Sequence, residues 1–263
     1  MKIKANGIHI SYRIDGPEGA PWVTMSNSLA TTHRMWDAQM DAFTKSYRVL
    51  RYDKRGHGET DVAPGPYSFE LLADDVLALL DALSITETHF VGLSMGGMTG
   101  MTMAVRKPSV LRTLVLCDTA SKDPLGDPAL WQQRIDAIRA GGSMEALVES
   151  TLARFLTPDT VKTRPDVADT VRAMVRNTPM DGYIACCQAI AKLNLTDRLP
   201  GIAVPTLVVV GADDPATTVE MARTIHQRIA GSELVILKNA AHLSNLEQVA
   251  AFNEAVLGFL ARH

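Results

Sequence analysis

The sequence predicts an α/β architecture: a mostly parallel sheet with helices on both faces, interrupted by an inserted block of helices. Three observations carry this prediction. Short β-branched or aromatic runs alternate with helical patterns over most of the 263 residues, the alternation stops between about residues 122 and 200, and one strand runs through a glycine-flanked serine into a helix.

The runs IHISYRI (8–14), WVTMS (22–26), YRVLRY (47–52), THFVG (88–92), LRTLVLC (111–117), VPTLVVV (204–210) and ELVIL (233–237) have the length and composition of strands. Between them, Leu72, Val76, Leu79, Leu80 and Leu83 recur at helical spacing, as do Val249, Phe252, Val256, Phe259 and Leu260 near the C-terminus. Strands separated by helices pair in parallel and are covered on both faces. From 122 to 200 the chain is helical stretches punctuated by Pro124, Pro128, Gly141-Gly142, Pro158, Pro165 and Pro179. The expected organisation is a sheet core of residues 1–121 and 201–263, with residues 122–200 as a helical cap over the carboxyl ends of the strands. Open α/β sheets bind ligands at that edge.

Composition narrows the function. The chain is 46% hydrophobic and 21% charged, with a net charge of −3 and its 26 Lys and Arg residues scattered. No footprint for nucleic acid or an anionic membrane is present, so a small-molecule substrate is the expectation. The opening MKIKANGIHI has no apolar core of a leader peptide, and no apolar run reaches bilayer-spanning length, which reads as a cytoplasmic protein. Cys117, Cys186 and Cys187 form no ligand cluster and read as buried free thiols. Neither a metal-binding HExxH or HxHxDH pattern nor a GxGxxG opening a helix occurs, so the chemistry is expected to need no metal and no cofactor.

The segment THFVGLSMGGMTG, residues 88–100, holds the informative motif. Gly92-Leu93-Ser94-Met95-Gly96 fits G-x-S-x-G, a weak signal alone and a strong one between a strand and a helix, here Gly97 to Arg106, ended by Pro108. That context lifts the Ser94 hydroxyl off the sheet edge on a strained turn, with the glycines clearing space. A serine hydroxyl is a poor nucleophile at neutral pH and needs a base, which in turn needs an orienting carboxylate.

Of seven histidines, His242 is the best base, in the loop after strand 233–237 and before the last helix. His33 and His57 lie in loops able to reach the site and stay as alternatives. His89 falls within a strand, His226 within a helical pattern and His263 at the terminus. For the carboxylate, VVVGADDPAT places Asp213 and Asp214 past strand 204–210, and the order Ser, Asp, His suits the architecture. Asp214 is preferred, with Asp118 past strand 111–117 as the alternative acid. An oxyanion needs preorganised donors; the Met95 N–H at the helix start is one, and Leu29 N–H, in SNSLATTHRMW, is the expected second.

At these residues the chain resembles the α/β-hydrolase superfamily over its whole length, with RYDKRGHGET matching its D-x-R-G-x-G-x-[ST] turn. SNSLATTHRMWDAQ, GYIACCQAI, GADDPAT and AAHLSNLEQ look like the 3-oxoadipate enol-lactonases of aromatic-ring degradation, the β-ketoadipate route. The resemblance implies Ser94 as nucleophile, Asp214 as acid, His242 as base, and Leu29 and Met95 as oxyanion donors. LWQQRI is similar to a family W-x-x-R stretch, which makes Trp131 and Arg134 substrate-binding candidates; an arginine fork pairs well with the free carboxylate of the enol-lactone. Two positions depart from the family pattern: Ala30 stands where glycine is common, and Asp118 where asparagine is usual. The expected activity is therefore a cofactor-free lactonase. Its rivals are a general carboxylesterase or perhydrolase, a C–C bond hydrolase of aromatic catabolism, or a non-catalytic receptor on the same fold.

Overall fold

The structure is a computed structural model that describes residues 1–263. Its sheet contains β1 (Lys2–Ala5), β2 (Ile8–Asp15), β3 (Trp22–Ser26), β4 (Arg48–Tyr52), β5 (Thr88–Leu93), β6 (Leu111–Cys117), β7 (Thr206–Gly211) and β8 (Glu233–Leu237). They lie in the order β1-β2-β4-β3-β5-β6-β7-β8. β1 and β2 pair antiparallel, as do β2 and β4; every other pair is parallel.

β1 is an addition to the seven expected strands. Its signal is Asn6-Gly7, both at positive φ (45° and 79°), a pairing that favours the tight turn joining two antiparallel strands. β5 sits in the middle of the sheet with all six of its residues buried, as expected of a strand covered on both faces.

Short α1 (Met40–Phe43) precedes β4, and α2 (Phe69–Ala82) is capped by Ser68, whose hydroxyl accepts from Leu71 N at 3.2 Å. α3 (Met95–Arg106) starts two residues earlier than the sequence pattern indicates, immediately behind Ser94. Between β6 and β7 come α4 (Pro128–Gly141), α5 (Val148–Phe155), α6 (Pro158–Thr163), α7 (Pro165–Arg176) and α8 (Met180–Ile190). The prolines of this block open helices: Pro128, Pro158 and Pro165 each occupy the first turn, where a missing N–H leaves no bond unmade.

α9 (Val219–Arg228) links β7 to β8, and α10 (Ser244–Glu247) and α11 (Val249–Leu260) close the chain. One continuous apolar core runs from the sheet into the inserted helices. All three cysteines are buried and unbonded to one another. No helix is long and apolar enough to cross a membrane.

Candidate active site

The site is built at the carboxyl ends of β3, β5, β6 and β7. Ser94 directly follows β5 at φ 53°, ψ −114°, a backbone conformation that an L-residue holds only under constraint. Its N–H donates to the Cys117 carbonyl at 2.8 Å and its carbonyl accepts from Thr119 Oγ1 at 2.7 Å, so the end of β6 and the loop after it clamp the turn. The flanking glycines are required by contact. A Cβ on Gly92 would lie 2.4 Å from the Gly96 carbonyl oxygen, and one on Gly96 would lie 2.1 Å from that of Ser26. Glycine at both lets α3 start directly behind the serine and press against β3.

His242 lies in the loop between β8 and α10, almost wholly buried. Its Nδ1 is 2.9 Å from Asp214 Oδ2. Asp214 follows β7 and is held by three more donors: Ala216 N at 2.7 Å and Thr217 N at 3.0 Å to Oδ1, and Thr217 Oγ1 at 2.7 Å to Oδ2. Burial pushes the Asp214 carboxyl up, but His242 and the Thr217 hydrogen bonds outweigh it and hold it below the usual carboxylate range. A carboxylate so held fixes the imidazole with Nδ1–H toward Asp214. The Phe155 ring lies over the imidazole, its centroid 5.2 Å away. Ser94 and His242 face one cavity of about 240 Å³ between the sheet edge and the inserted helices, near the small end of ligand cavities, roughly 300–1,000 Å³.

A family model described as alpha/beta hydrolase fold matches residues 21–249. Two 3-oxoadipate enol-lactonases of Acinetobacter baylyi are each 35% identical to the chain over 260 residues, covering 99% of it and 96% of the relative. The crystal structure of the enol-lactonase from Burkholderia xenovorans LB400 matches with a TM-score of 0.96 at 41% identity, covering 99% of this chain and 100% of that one. The chain belongs to the α/β-hydrolase family.

The hydrolase does not join the alternative acid to His242, and neither alternative base lines the cavity with Ser94. Asp118 is fully buried and spends both oxygens elsewhere, Oδ1 accepting from Gly211 N at 2.8 Å and Oδ2 from Ser244 Oγ at 2.5 Å. It ties the end of β7 to α10 and makes no bond to His242. Burial first, and then the Asp214 charge, push its carboxyl well above the usual range. His33 is engaged by Asp53, with N at 2.7 Å and Nδ1 at 3.0 Å from Oδ1. His57 is fully buried, accepts from Ala30 N at 3.0 Å through Nε2, and has Nδ1 3.3 Å from the Arg55 carbonyl. Burial, helped by the Lys54 charge, lowers it to about 3, so it stays neutral.

Leu29 lies in the loop after β3 and its N–H donates to no protein acceptor; Met95 N, first in α3, has no intrahelical partner. Ala30 sits at φ 59°, a conformation costing a non-glycine residue roughly 1–2 kcal/mol. Glycine removes that strain but loses about 0.5–1 kcal/mol of chain entropy. Ala30→Gly is therefore expected to leave the hydrolase as stable or up to about 1 kcal/mol more stable, read as an unchanged or raised Tm.

Trp131 and Arg134 both face the cavity. Trp131 is pinned by its Nε1–H to Asp123 Oδ1 at 2.7 Å, and the Arg134 guanidinium lies 5.1 Å from its ring centroid. The sequence reading missed Arg154 and Phe155, which α5 carries to the same cavity. No local motif marks them, because only the folding of α5 against the His242 loop makes them neighbours of the site. Leu243 N donates to the Phe155 carbonyl at 2.9 Å, which fixes that approach.

Proposed function

We propose that the protein is a serine hydrolase that opens a small carboxylated enol-lactone, 3-oxoadipate enol-lactone, to 3-oxoadipate through an acyl-enzyme. The observation that carries the substrate class is a pair of arginines. Arg134 and Arg154 face the same small cavity as Ser94 and His242, and neither has a carboxylate partner in the protein. Burial, and then the nearby Arg134 charge, lower the Arg154 guanidinium from its usual value. Two neighbouring cations in a partly desolvated cavity favour an anionic ligand. The likeness to proteins named as 3-oxoadipate enol-lactonases supports this choice.

In this reading Ser94 Oγ attacks the lactone carbonyl and His242 Nε2 takes its proton. Asp214 holds the imidazole tautomer and stabilises the imidazolium. The tetrahedral oxyanion is received by Leu29 N–H and Met95 N–H. Its collapse breaks the ring C–O bond, and His242 returns the proton to the departing enol oxygen. The freed enol tautomerises to the ketone. Water then attacks the acyl carbon as His242 takes its proton, and the second collapse releases a carboxylate and restores Ser94. Residues 122–200 act as a cap, supplying the anion-binding wall while the sheet edge supplies the reacting groups.

The decisive test follows enol-lactone disappearance by ultraviolet absorbance beside cleavage of p-nitrophenyl acetate. A kcat/KM at least about 100-fold higher for the lactone is expected, since hydrogen bonds to a charged group contribute roughly 1.5–3 kcal/mol each. Cleavage of the neutral ester alone overturns the substrate assignment. Arg134→Ala and Arg154→Ala are each expected to raise KM for the lactone about 10- to 100-fold and to leave the neutral ester nearly unchanged. Equal losses on both substrates overturn the arginine clamp.

A further inference from the structure

Lys54 is a buried cation that the chemistry above does not use. Only 4% of it is exposed, it is in no salt bridge, and its ammonium donates instead to two backbone carbonyls, Asn27 O and, at 2.9 Å, Ser28 O. A buried charge without a carboxylate partner is costly unless its hydrogen bonds offset the lost hydration. The site of those bonds matters, because the Ser28 carbonyl and the Leu29 N–H belong to one planar peptide unit. A donor on the carbonyl end fixes the plane of that unit and polarises the N–H at the other end.

The neighbouring contacts complete the arrangement. Thr31 Oγ1 gives the same Ser28 carbonyl a second donor at 2.9 Å. The next N–H along, that of Ala30, is taken by His57 Nε2 at 3.0 Å. Leu29 N–H is thus the one left without a protein acceptor, while Ser28, Leu29 and Ala30 line the cavity and Lys54 does not.

We propose that Lys54 is a positioning residue for the oxyanion site: its ammonium, acting through the Ser28–Leu29 peptide, orients and strengthens the Leu29 N–H that receives the developing negative charge. It touches neither substrate nor reacting atoms. Its effect belongs to the transition state, where the oxyanion exists, and not to substrate binding. The proposal rests on the serine-hydrolase reading.

Protonation supplies a further signature. Burial lowers Lys54 to about 8, opposed by Cys186 and Asp53. The other titratable groups that face it stay constant above neutral pH. His57 is neutral down to about 3, Asp53 lies below the usual carboxylate range, and the Cys186 thiol, reaching Lys54 from α8, is pushed up by burial. The Arg55–Asp75 ion pair, 2.5 Å apart, acts on Cys186 from the other side. Because the folded pKa is depressed, the ammonium is complete well below pH 8 and is lost as pH rises through it. Above that pH the Ser28 carbonyl faces a neutral amine.

The test compares wild type and Lys54→Met on p-nitrophenyl acetate, with Tm and near-ultraviolet circular dichroism recorded for both. Inhibition by phenylboronic acid, which forms a tetrahedral adduct on the serine, is measured beside inhibition by adipate, which binds without one. The expected result for Lys54→Met is a kcat lower by about 10- to 100-fold, less than the hundred- to thousandfold loss of a whole donor. Its phenylboronic acid Ki rises in parallel, and KM and the adipate Ki stay within about twofold. Wild-type kcat falls above about pH 8, and the variant lacks that limb. An unchanged kcat in folded Lys54→Met, or a KM that rises and an adipate affinity that falls by as large a factor as kcat, overturns the proposal. If Lys54→Met does not fold, the wild-type profile decides, and a kcat flat to about pH 9.5 overturns it. Failure of the underlying reading is distinguishable: there wild type cleaves no ester, or Ser94→Ala cleaves it equally well.

Discussion

Ser94→Ala is expected to lower kcat for the enol-lactone and for p-nitrophenyl acetate by about a millionfold, the scale seen when a serine nucleophile is removed from an intact triad. The fold should survive, with Tm within a few degrees of wild type. The Ser94 hydroxyl has no hydrogen-bond partner in the protein, so its removal orphans nothing. The strained turn itself is held by the backbone bonds to Cys117 and Thr119, which alanine keeps. Substrate affinity should persist, because Arg134 and Arg154 are untouched. Binding without turnover, by calorimetry, checks all three parts. Residual turnover near the wild-type rate would eliminate the acyl-enzyme route.

Asp214→Asn is expected to be next in severity, lowering kcat by about ten-thousandfold while Asp118→Asn lowers it by less than about tenfold. The contrast follows from what each carboxylate touches. Asp214 Oδ2 faces His242 Nδ1 at 2.9 Å, and an amide there can present its NH2 to the imidazole and favour the wrong tautomer. Asp118 faces Gly211 N and Ser244 Oγ, and asparagine can bond both by accepting from one and donating to the other.

pH separates the two variants further. The fold pushes the Asp118 carboxyl upward, mainly by burial. Above about pH 4 the folded state therefore holds more proton than the unfolded chain, and this residue's contribution to stability falls as pH rises. Asp118→Asn has no proton to lose, so its Tm relative to wild type should improve from acid to alkaline pH. Asp214 behaves oppositely: its depressed carboxyl contributes stability above the ordinary carboxylate pKa, lost as pH falls through the folded value. Thermal scans across pH on both variants check the signs.

Much of the sheet was legible because strands β2 to β8 carry their signal locally, as short β-branched runs whose bounds moved by at most two residues. The exception, β1, is a four-residue edge strand with too few residues to show alternation, and its turn dipeptide Asn6-Gly7 was the readable cue. The prolines, which the sequence pattern marks as breaks between helices, are mostly helix starts. A missing N–H costs nothing in the first turn, so the same residue interrupts one helix and opens the next.

The sequence by itself determined the order of strands and helices, the serine turn and the candidate reacting groups Ser94, Asp214 and His242. These depend on local rules: periodicity, glycine at close approaches, and loops that follow strands. Tertiary structure alone decided which aspartate meets His242, that His33 and His57 are spent on Asp53 and Ala30, that Arg154 and Phe155 join the cavity, and that Lys54 lies beneath the Ser28 carbonyl. Each of those is a contact across sequence separations of 20 residues or more. Such a contact is set by how elements pack and by which buried polar groups must find partners, and no short stretch of sequence encodes it.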